Sequence, residues 1–407
     1  MKILFMAQCY APENVSGAVM VTELAADLAK RGHRVTVVTG APNYPQGRVF
    51  KGYRNGLYKV EMLDGVRVIR TWSYISPSKN TWPRLFHYGT YSATAFYGGL
   101  FASRPDVIVS YSPPFPLGLT AFLLSRIFHV PWLLQLEDLY PDAAIAAGVM
   151  TNQKVINFFL GLENFFYRNA QRISVISKNF KQTLLAKGIP NSKIEIIPVW
   201  ADPDEVQPLQ KENAFRREYG LNGKFVVMYA GNIGLTSCLE DVVHAAEILQ
   251  EQQKIHFVIV GEGVKKKSLE AEMEAKQLKN MLFLPFQPRD LFPEMLAAAD
   301  LGLVTLNAGA ALSSLPSKIF NVMASARPIL AITPPGSEIM QIIEEAGCGW
   351  NVPPASPEKL AEAIVQLKDR ESTVIQMGQN GRACLEKNYS RNHCVDAYEM
   401  MLTAICD

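Results

Sequence analysis

The sequence lacks any apolar run approaching the roughly 18 residues that a membrane-spanning helix needs. The apolar stretch at its start, residues 3–7, is too short for the core of a secretory signal peptide, and Pro12 follows it closely. These two absences predict a protein of the cytoplasm. It would be either soluble or seated on the inner face of the plasma membrane as a peripheral protein.

Cysteine is also scarce, with six residues in 407 and no C-x-x-C pair among them. No cysteines and histidines share the spacing of a zinc site, so the thiols are expected to be free in a reducing compartment. No metal site is predicted. Charge of neither sign is in excess, since 40 basic and 38 acidic residues leave a net charge of +2. A general nucleic-acid-binding protein would need a strong basic excess, so this composition argues against one.

What the sequence does contain indicates two folded domains of the α/β class. Hydrophobic residues make up 48%, which excludes disorder, and 407 residues exceed one ordinary core. Residues 3–8 and 34–40 read as buried strands, with a helix at 20–30 between them. This β-loop-α-β unit is typical of a parallel, doubly wound sheet. Further strands are predicted at 107–111, 132–136 and 173–177, with a hairpin at 58–61 and 66–71.

A stretch rich in proline and acidic residues, 198–212, predicts a connection between domains. The same plan then restarts, with strands at 225–230, 256–260, 281–285, 302–306 and 328–332 and a helix at 239–250. The predicted organisation is a Rossmann-like domain at 1–205, a linker at 206–212, a second such domain at 213–388 and a terminal helix within 389–407. Ligands of parallel sheets collect at the carboxyl ends of the strands, so a cleft between the domains is the expected site.

The segment from Leu315 to Asn321 carries the clearest chemical signal. It leaves a predicted strand and opens a helix, whose free backbone N–H groups suit an anion. Lys318 in the first turn adds a positive charge that suits a diphosphate, and Asn321 on the same face could bind a ribose hydroxyl. Taken alone, the spacing favours a simpler interpretation, an ordinary capped helix with a solvated lysine.

Several segments together resemble one enzyme family. The stretch PSKIFNVMASARPIL at 316–330 is similar to the nucleotide-sugar segment of retaining GT-B glycosyltransferases of family 4. The branch that it resembles makes capsule, O-antigen and colanic acid sugars in bacteria and includes fucosamine transferases. APNYPQG at 41–47, DLYPD at 138–142, GNIG at 231–234 and VGEG at 260–263 agree with that branch.

The resemblance implies a fold, a reaction and partners. The fold is the α/β arrangement called GT-B, two Rossmann-like domains with doubly wound parallel sheets that face a cleft, with the C-terminal helix packed back on the N-terminal domain. The reaction moves a sugar from a nucleoside-diphosphate donor, expected to be a UDP-sugar, to a glycan or polyprenyl-linked acceptor with retention of configuration. The implied enzyme uses no metal and no cofactor beyond the donor, and binds no nucleic acid.

The resemblance also implies site residues. The donor would contact Gly17, Asn232, Gly234, Glu262, Phe286, Gln287, Ser314, Leu315, Ser317, Lys318, Ile319 and Asn321. The acceptor would contact Gly17, Glu137 and Asp138. Pro113 and Phe115 belong to a proline-rich loop at a strand end, which could line the acceptor pocket or could simply connect the strand to the next helix. Lys318 would stabilise the leaving diphosphate, and Asp138 would orient the acceptor hydroxyl or take its proton. The residues themselves leave alternatives open, N-capping of the next turn for Asp138 and loop flexibility for Gly17.

The sequence departs from the family pattern at several of these positions. The wider family has two glutamates eight positions apart, where Ser313 and Asn321 stand here. It also has an arginine and a lysine where Asn232 and Ser237 stand, and Leu235 replaces the arginine of a relative. These departures keep open a catalytically silent protein that binds a nucleotide sugar. A GT-B-like epimerase is a weaker alternative, since it needs acid/base residues in the cleft and only six histidines occur. A dinucleotide dehydrogenase is also weaker, since no G-x-G-x-x-G follows the first strand.

Two further segments, 82–101 and 154–168, combine aromatic and basic residues at helical spacing. Such helices suit the surface of a membrane. Aromatic stripes more often belong to a protein core, so the sequence leaves both interpretations open.

Overall fold

The computed structural model describes residues 1–78, 80–146, 148–311 and 314–406. The chain forms two compact units, one of Met1–Pro198 together with the chain from Cys394 onward, the other of Val199–His393. The predicted linker, 206–212, lies in the second unit. The guanidinium of Arg382 donates hydrogen bonds to the carbonyl oxygen of Pro203, which precedes this segment, and to that of Val206, its first residue, at 3.0 and 2.7 Å. These bonds fix the start of the second unit to its body.

The first unit is built on an eight-stranded sheet in the order β3-β4-β2-β1-β5-β6-β7-β8. Its strands are β1 Lys2–Met6, β2 Arg34–Gly40, β3 Tyr58–Leu63, β4 Val66–Thr71, β5 Val107–Ser112, β6 Trp132–Leu136, β7 Arg172–Val175 and β8 Ile194–Ile196. All neighbours are parallel except β3 and β4, which form the predicted hairpin. Asp64 and Gly65 have positive φ angles of 49° and 80°, as the two central residues of a tight hairpin turn require.

In the described part of the chain, the helices that precede the second unit and cover this sheet are α1 Ser16–Lys30, α2 Thr81–Leu100, α3 Leu117–Phe128, α4 Asp142–Ala146, α5 Gln153–Asn169 and α6 Lys178–Ala186. From β1 to β2 the chain moves toward the β3 edge of the sheet, and from β5 to β6 it moves toward the β8 edge. Because such crossovers are right-handed, α1 and α3 lie on opposite faces of the sheet. Helix α3 contacts both α2 and α5. These three helices therefore form one layer.

The second unit has a six-stranded, all-parallel sheet in the order β11-β10-β9-β12-β13-β14. The strands are β9 Phe225–Ala230, β10 Ile255–Val260, β11 Met281–Leu284, β12 Leu301–Thr305, β13 Ile329–Ile332 and β14 Gly349–Val352. The helices are α7 Ala214–Glu218, α8 Leu239–Ile248, α9 Lys266–Ala275, α10 Phe292–Ala297, α11 Lys318–Ala324, α12 Glu338–Ala346, α13 Pro357–Lys368 and α14 Glu371–Asn388. Helices on both faces bury the strands, which explains their continuous apolar sequences.

The last helix, α15 Arg391–Cys406, starts in the second unit and belongs to the first from Cys394 onward. Arg31 forms ion pairs with Asp396 and Glu399, each at 2.6 Å. The buried hydroxyl of Tyr398 donates to Gln135 Oε1 at 2.5 Å. The terminal helix thus packs back on the first unit, as predicted.

Two strands, β8 and β14, were not predicted from the sequence. They have three and four residues and leave several side chains partly exposed, so neither produces a clear apolar run. None of the helices in the described ranges is long and apolar enough to cross a membrane.

Candidate active site

In the second unit, the loops that follow β9 and β10 are packed backbone against backbone. Gly261 has a φ of 153°, and a Cβ atom there would lie 1.9 Å from the carbonyl oxygen of Gly231. A Cβ at Gly263 would lie 2.1 Å from that of Ile233. The Ile233 amide also donates to the Glu262 carbonyl at 2.9 Å. Only glycine fits these two positions, so the G-x-G sequence marks a close approach of two loops.

Lys318, the first residue of α11, extends its ammonium group beneath this pair of loops. Its Nζ atom donates to the hydroxyl of Tyr229 at 2.5 Å and lies 3.9 Å from the centre of that ring. The Tyr229 hydroxyl in turn donates to the carbonyl oxygen of Asn232 at 2.7 Å. A Cβ atom at Gly231 would lie 3.0 Å from Nζ. One chain of contacts therefore joins α11, β9 and the loop at 231–234.

Among the described residues, no charged group is found to act on the ammonium group of Lys318, whose pKa is shifted by burial alone. Burial lowers the pKa of its ammonium group to about 7. An ammonium group out of water without an opposite charge is costly, and an arriving anion would remove that cost. The geometry provides a cation that is held in place and has no charge partner.

The other predicted donor residues of this unit lie around Lys318 in different environments. The side chains of Leu315 and Ile319 are buried, so any contact with a ligand would come from their backbone. Ser314, Ser317 and Asn321 are partly exposed, and Ser317 precedes α11 with helical angles of −58° and −20°. Gly234 is buried in the loop after β9, and Asn232 is exposed. Ser313, which replaces a family glutamate, lies outside the described residues.

The remaining predicted donor residues follow β10 and β11. Glu262 forms an exposed ion pair with Lys266 at 2.7 Å. Phe286 is exposed, and the Gln287 side chain donates to the carbonyl oxygen of Pro285 at 3.0 Å. Tyr229 was not predicted as a site residue, because a tyrosine within the strand sequence FVVMYA has the pattern of a core residue. Its contact with Lys318 joins residues 89 positions apart and leaves no local signal.

In the first unit, Gly17 lies against the side chain of Glu137. A Cβ atom at Gly17 would be 2.5 Å from Glu137 Oε2, so the glycine makes room for this carboxyl group. Glu137 follows β6, and its amide donates to the carbonyl oxygen of Ser112 at 3.0 Å. Burial, with a smaller effect from the charge of Asp138, raises the pKa of Glu137 to about 8. Two predicted residues from distant parts of the sequence are thus brought together.

Asp138, the next residue, lies close to the N-terminal end of α2. Burial raises the pKa of its carboxyl group to about 6, and the positive charge of Arg84 opposes this rise. Arg84 is itself held by Tyr88, whose hydroxyl accepts a hydrogen bond from Nε at 2.9 Å. Near neutral pH this arrangement supplies an ionised Asp138 beside a protonated Glu137.

The loop after β5 carries Pro113 and Phe115, the two other residues that were predicted to contact the acceptor. Phe115 is buried in an aromatic cluster, with ring centres 5.1 Å from Phe166, 5.4 Å from Tyr140 and 5.6 Å from Phe159. Its side chain packs beneath the segment that carries Asp138, so it supports that segment and does not face outward. Pro113 is partly exposed between β5 and α3. A direct role of either residue in acceptor binding stays a prediction.

Among the described residues, no three His, Cys, Asp or Glu side chains are placed to hold a metal ion.

The chain matches two family models. Residues 17–200 match the glycosyl transferase 4-like domain, and residues 211–383 match the glycosyl transferases group 1. Together with the relatives described next, these matches show that the chain belongs to the family 4 glycosyltransferases of the GT-B fold. It is a glycosyltransferase, and the predicted family and fold class are confirmed.

Two relatives cover most of the chain. The putative colanic acid biosynthesis glycosyl transferase WcaI of Escherichia coli K12 is 30% identical over 387 residues, which are 92% of this chain and 94% of the relative. The probable glycosyltransferase WbjE of Pseudomonas aeruginosa is 32% identical over 71% of this chain and 72% of its own length.

Solved structures share the fold at lower identity. Sucrose-phosphate synthase from Thermosynechococcus elongatus superposes with a TM-score of 0.78 at 16% identity, covering 99% of this chain and 100% of that structure. Anabaena Alr3699/HepE in complex with UDP-glucose superposes with a TM-score of 0.70 at 16% identity and the same coverage. At these identities the likeness concerns the fold alone.

Replacing Gly17 with alanine is expected to reduce sugar transfer about tenfold without destabilising the protein. The new methyl group must displace the end of the Glu137 side chain, which can rotate at little cost, while alanine favours helix α1. Gly161→Ala in α5 is the matched control, because a Cβ atom there meets nothing within 4 Å. Both variants should melt at or slightly above the wild-type temperature, and only Gly17→Ala should lose activity. Equal activity of the two variants would show that the position of the Glu137 carboxyl is irrelevant.

Proposed function

We propose that this glycosyltransferase moves a sugar from a UDP-sugar to a glycan or polyprenyl-linked acceptor, with retention of configuration, during synthesis of a surface polysaccharide. The names of the relatives support the biological role, since one is described for colanic acid biosynthesis. The complexes of HepE with UDP and with UDP-glucose support a nucleotide-sugar donor of this kind. The six free cysteines, all within the described residues, fit a protein of the reducing cytoplasm.

The unpaired ammonium group of Lys318 is the observation that carries this proposal. It lies beneath the loops at the carboxyl ends of β9 and β10, where ligands of parallel sheets bind. A diphosphate supplies the negative charge that this half-buried cation lacks, and it would favour the protonated lysine. The proposed donor site therefore consists of Lys318, the loop at 231–234 and the residues before α11.

The proposed reaction needs no nucleophile from the protein. The bond between the anomeric carbon and the diphosphate oxygen breaks, and the acceptor oxygen forms the new bond on the same face of the sugar. The acceptor proton passes to the departing diphosphate or to Asp138. Lys318 stabilises the charge that develops on the diphosphate, and Asp138 orients the acceptor hydroxyl. Glu137, protonated near neutral pH, can donate a hydrogen bond to a sugar hydroxyl beside it.

A panel of UDP-, GDP-, ADP- and dTDP-sugars tests the proposal by thermal shift and by release of the free nucleotide. We expect a UDP-sugar to raise the melting temperature most and to be slowly hydrolysed when no acceptor is present. Preference for another nucleotide would replace UDP in the proposal and leave the reaction class intact. Binding without any turnover, even with candidate acceptors, would support the catalytically silent alternative. No binding of any sugar nucleotide would overturn the proposed donor site.

A further inference from the structure

Strand β3 forms one edge of the eight-stranded sheet, and no strand of the described residues lies beyond it. It has six residues, whereas the other edge strands of the two sheets, β8, β11 and β14, have three or four. Proteins usually keep such edges short, because a row of unpaired N–H and C=O groups recruits another strand. The length of β3 therefore marks its outer side, called the open edge below, as a place for strand pairing.

Every second residue of β3 directs its backbone polar groups toward the open edge. Leu63 and Val66 flank the two-residue turn at 64–65 and lie opposite each other, so they exchange backbone hydrogen bonds. Bonded and non-bonded pairs alternate along antiparallel strands, so Lys59 and Glu61 also bond to β4. The N–H and C=O groups that face outward are therefore those of Tyr58, Val60 and Met62.

These outward groups can pair with the same edge of a second copy of the chain. The two strands would run antiparallel about a two-fold axis perpendicular to the sheet. When Val60 lies opposite Val60 of the second copy, Tyr58 lies opposite Met62 on both sides of the axis, and all three outward residues form bonded pairs. A shift of one strand by two residues, in either direction, leaves one of the three without a partner in the strand. Backbone bonding thus favours one register, centred on Val60.

The charged side chains of β3 select the same register. In it, Lys59 lies opposite Glu61 of the second copy, and symmetry repeats this pair on the other side of the axis. Both side chains are accessible, and the guanidinium of Arg70 fixes the Glu61 carboxylate at a distance of 2.6 Å. The shifted registers would place Lys59 opposite Lys59, or Glu61 opposite Glu61, and like charges directly opposite each other are destabilising. The strand is therefore complementary to itself in one arrangement.

The other face of β3 carries a row of exposed apolar side chains. Tyr58 is 44% exposed, Val60 41% and Met62 67%. Phe101, which follows α2, extends this row, since its ring lies 5.8 Å from that of Tyr58 and is 67% exposed. In the register centred on Val60, the tyrosine ring of each copy lies opposite the methionine sulfur of the other, a favourable contact. Pairing would thus remove this apolar row from water.

We propose that two copies of this chain associate through their β3 strands, antiparallel and centred on Val60, so that the two eight-stranded sheets continue into each other. Backbone hydrogen bonds, two Lys59–Glu61 ion pairs and the apolar row hold the two copies together. The inference concerns the first unit alone and does not depend on the proposed donor or acceptor.

Sedimentation equilibrium of the full chain tests the association. The wild type should have the mass of two chains at about 50 µM and should dissociate on dilution. Val60→Pro should remain a single chain at that concentration, because proline removes the central outward N–H group and leaves the bonds to β4 in place. The matched control is Val60→Thr, which keeps this donor and a β-branched side chain and should associate within about threefold of the wild type. Circular dichroism melts should show that both variants fold.

The charge pairing is tested without any change to the backbone. Lys59→Glu places two acidic side chains opposite each other on both sides of the axis, so it should weaken association at least about tenfold. Lys59→Ala removes the attraction and adds no repulsion, so it should weaken association less than Lys59→Glu. Equal affinities of these two variants and the wild type would overturn the register.

Cross-linking of introduced thiols locates the axis. In the proposed register the two residues at position 60 have Cα atoms about 5.5 Å apart, whereas those at position 62 lie about 14 Å apart along the strands. A bismaleimide whose span lies between these distances should link Val60→Cys into dimers and leave Met62→Cys at the background of the wild type, which has six free cysteines of its own. Random collision would favour the opposite result, since Met62 is the more exposed residue.

Three further outcomes would overturn the inference: a wild type that stays a single chain at about 50 µM, a folded Val60→Pro that associates as tightly as the wild type, or cross-linking of Met62→Cys equal to that of Val60→Cys. The first would leave the open edge to a different partner. The second would place the contact between copies elsewhere on the protein.

Discussion

Replacing Lys318 with alanine is expected to weaken UDP binding about a hundredfold, the usual loss when a charge-assisted contact to a buried anion is removed. The structure gives the reason, since Lys318 is a cation without an ion-pair partner among the described residues and lies directly beneath the loop at 231–234. Isothermal titration with UDP measures the effect. Lys266→Ala is the matched control, because that lysine lies after β10 and is already paired with Glu262. Its affinity for UDP should change little.

The same lysine should make UDP affinity depend on pH. In the free protein its pKa is about 7, and a bound diphosphate favours the protonated form, so binding takes up a proton above pH 7. The affinity should therefore fall as the pH rises above 7, by up to about tenfold per pH unit. Lys318→Arg, which stays charged, should bind UDP with little pH dependence in this range. Unchanged affinity in Lys318→Ala, or an unchanged pH slope in both variants, would remove Lys318 from the diphosphate site.

Replacing Asp138 with asparagine is expected to lower the rate of sugar transfer about a hundredfold, the range typical of a group that orients or deprotonates a reacting hydroxyl. UDP binding should stay within about twofold of the wild type, because the lost contact concerns the acceptor. A coupled assay of UDP release with acceptor measures the first quantity, and titration calorimetry measures the second. Equal loss of both would indicate a general structural defect.

The role of Asp138 can also be tested by the pH dependence of sugar transfer and by a control variant at Asp142. The pKa of Asp138 is raised to about 6, so wild-type activity should rise with pH through about 6 as the carboxylate ionises, and Asp138→Asn should lose that rise. Asp142→Asn is the matched control four residues along the chain. Its carboxylate pairs with Lys187 at 2.6 Å, so the variant should affect stability more than transfer. Full activity of Asp138→Asn would leave N-capping as the role of this residue.

Much of the fold could be predicted because buried parallel strands leave a strong apolar signal. Strands β2, β6 and β9 begin and end where the sequence places them, at Arg34–Gly40, Trp132–Leu136 and Phe225–Ala230. The short edge strand β14 was not predicted, because the first three of its four residues are partly or fully exposed and form no apolar run. Helix α1 starts at Ser16, four residues before the predicted start at Met20, since Gly17 reads as a loop residue.

The candidate site could be predicted less completely than the fold, because its properties depend on contacts between distant parts of the chain. A motif such as Pro316-Ser317-Lys318 shows which side chains are present but not what surrounds them. The contact of Lys318 with Tyr229 joins the start of helix α11 to strand β9. The contact of Gly17 with Glu137 likewise joins the first turn of α1 to the residue after β6. Neither the lowered pKa of Lys318 nor the raised pKa of Glu137 can be derived from neighbours in the chain.

The contact between the loops after β9 and β10 restricts how this enzyme could acquire a new donor. Gly261 and Gly263 leave no space for larger residues, so the two loops form one rigid piece whose backbone tolerates little change. Donor preference can therefore diverge only through side chains that project from the loops. Asn232, Leu235 and Glu262 are exposed positions of this kind. A library that randomises these three codons and leaves the glycines untouched would sample altered specificity while keeping the architecture that positions Lys318.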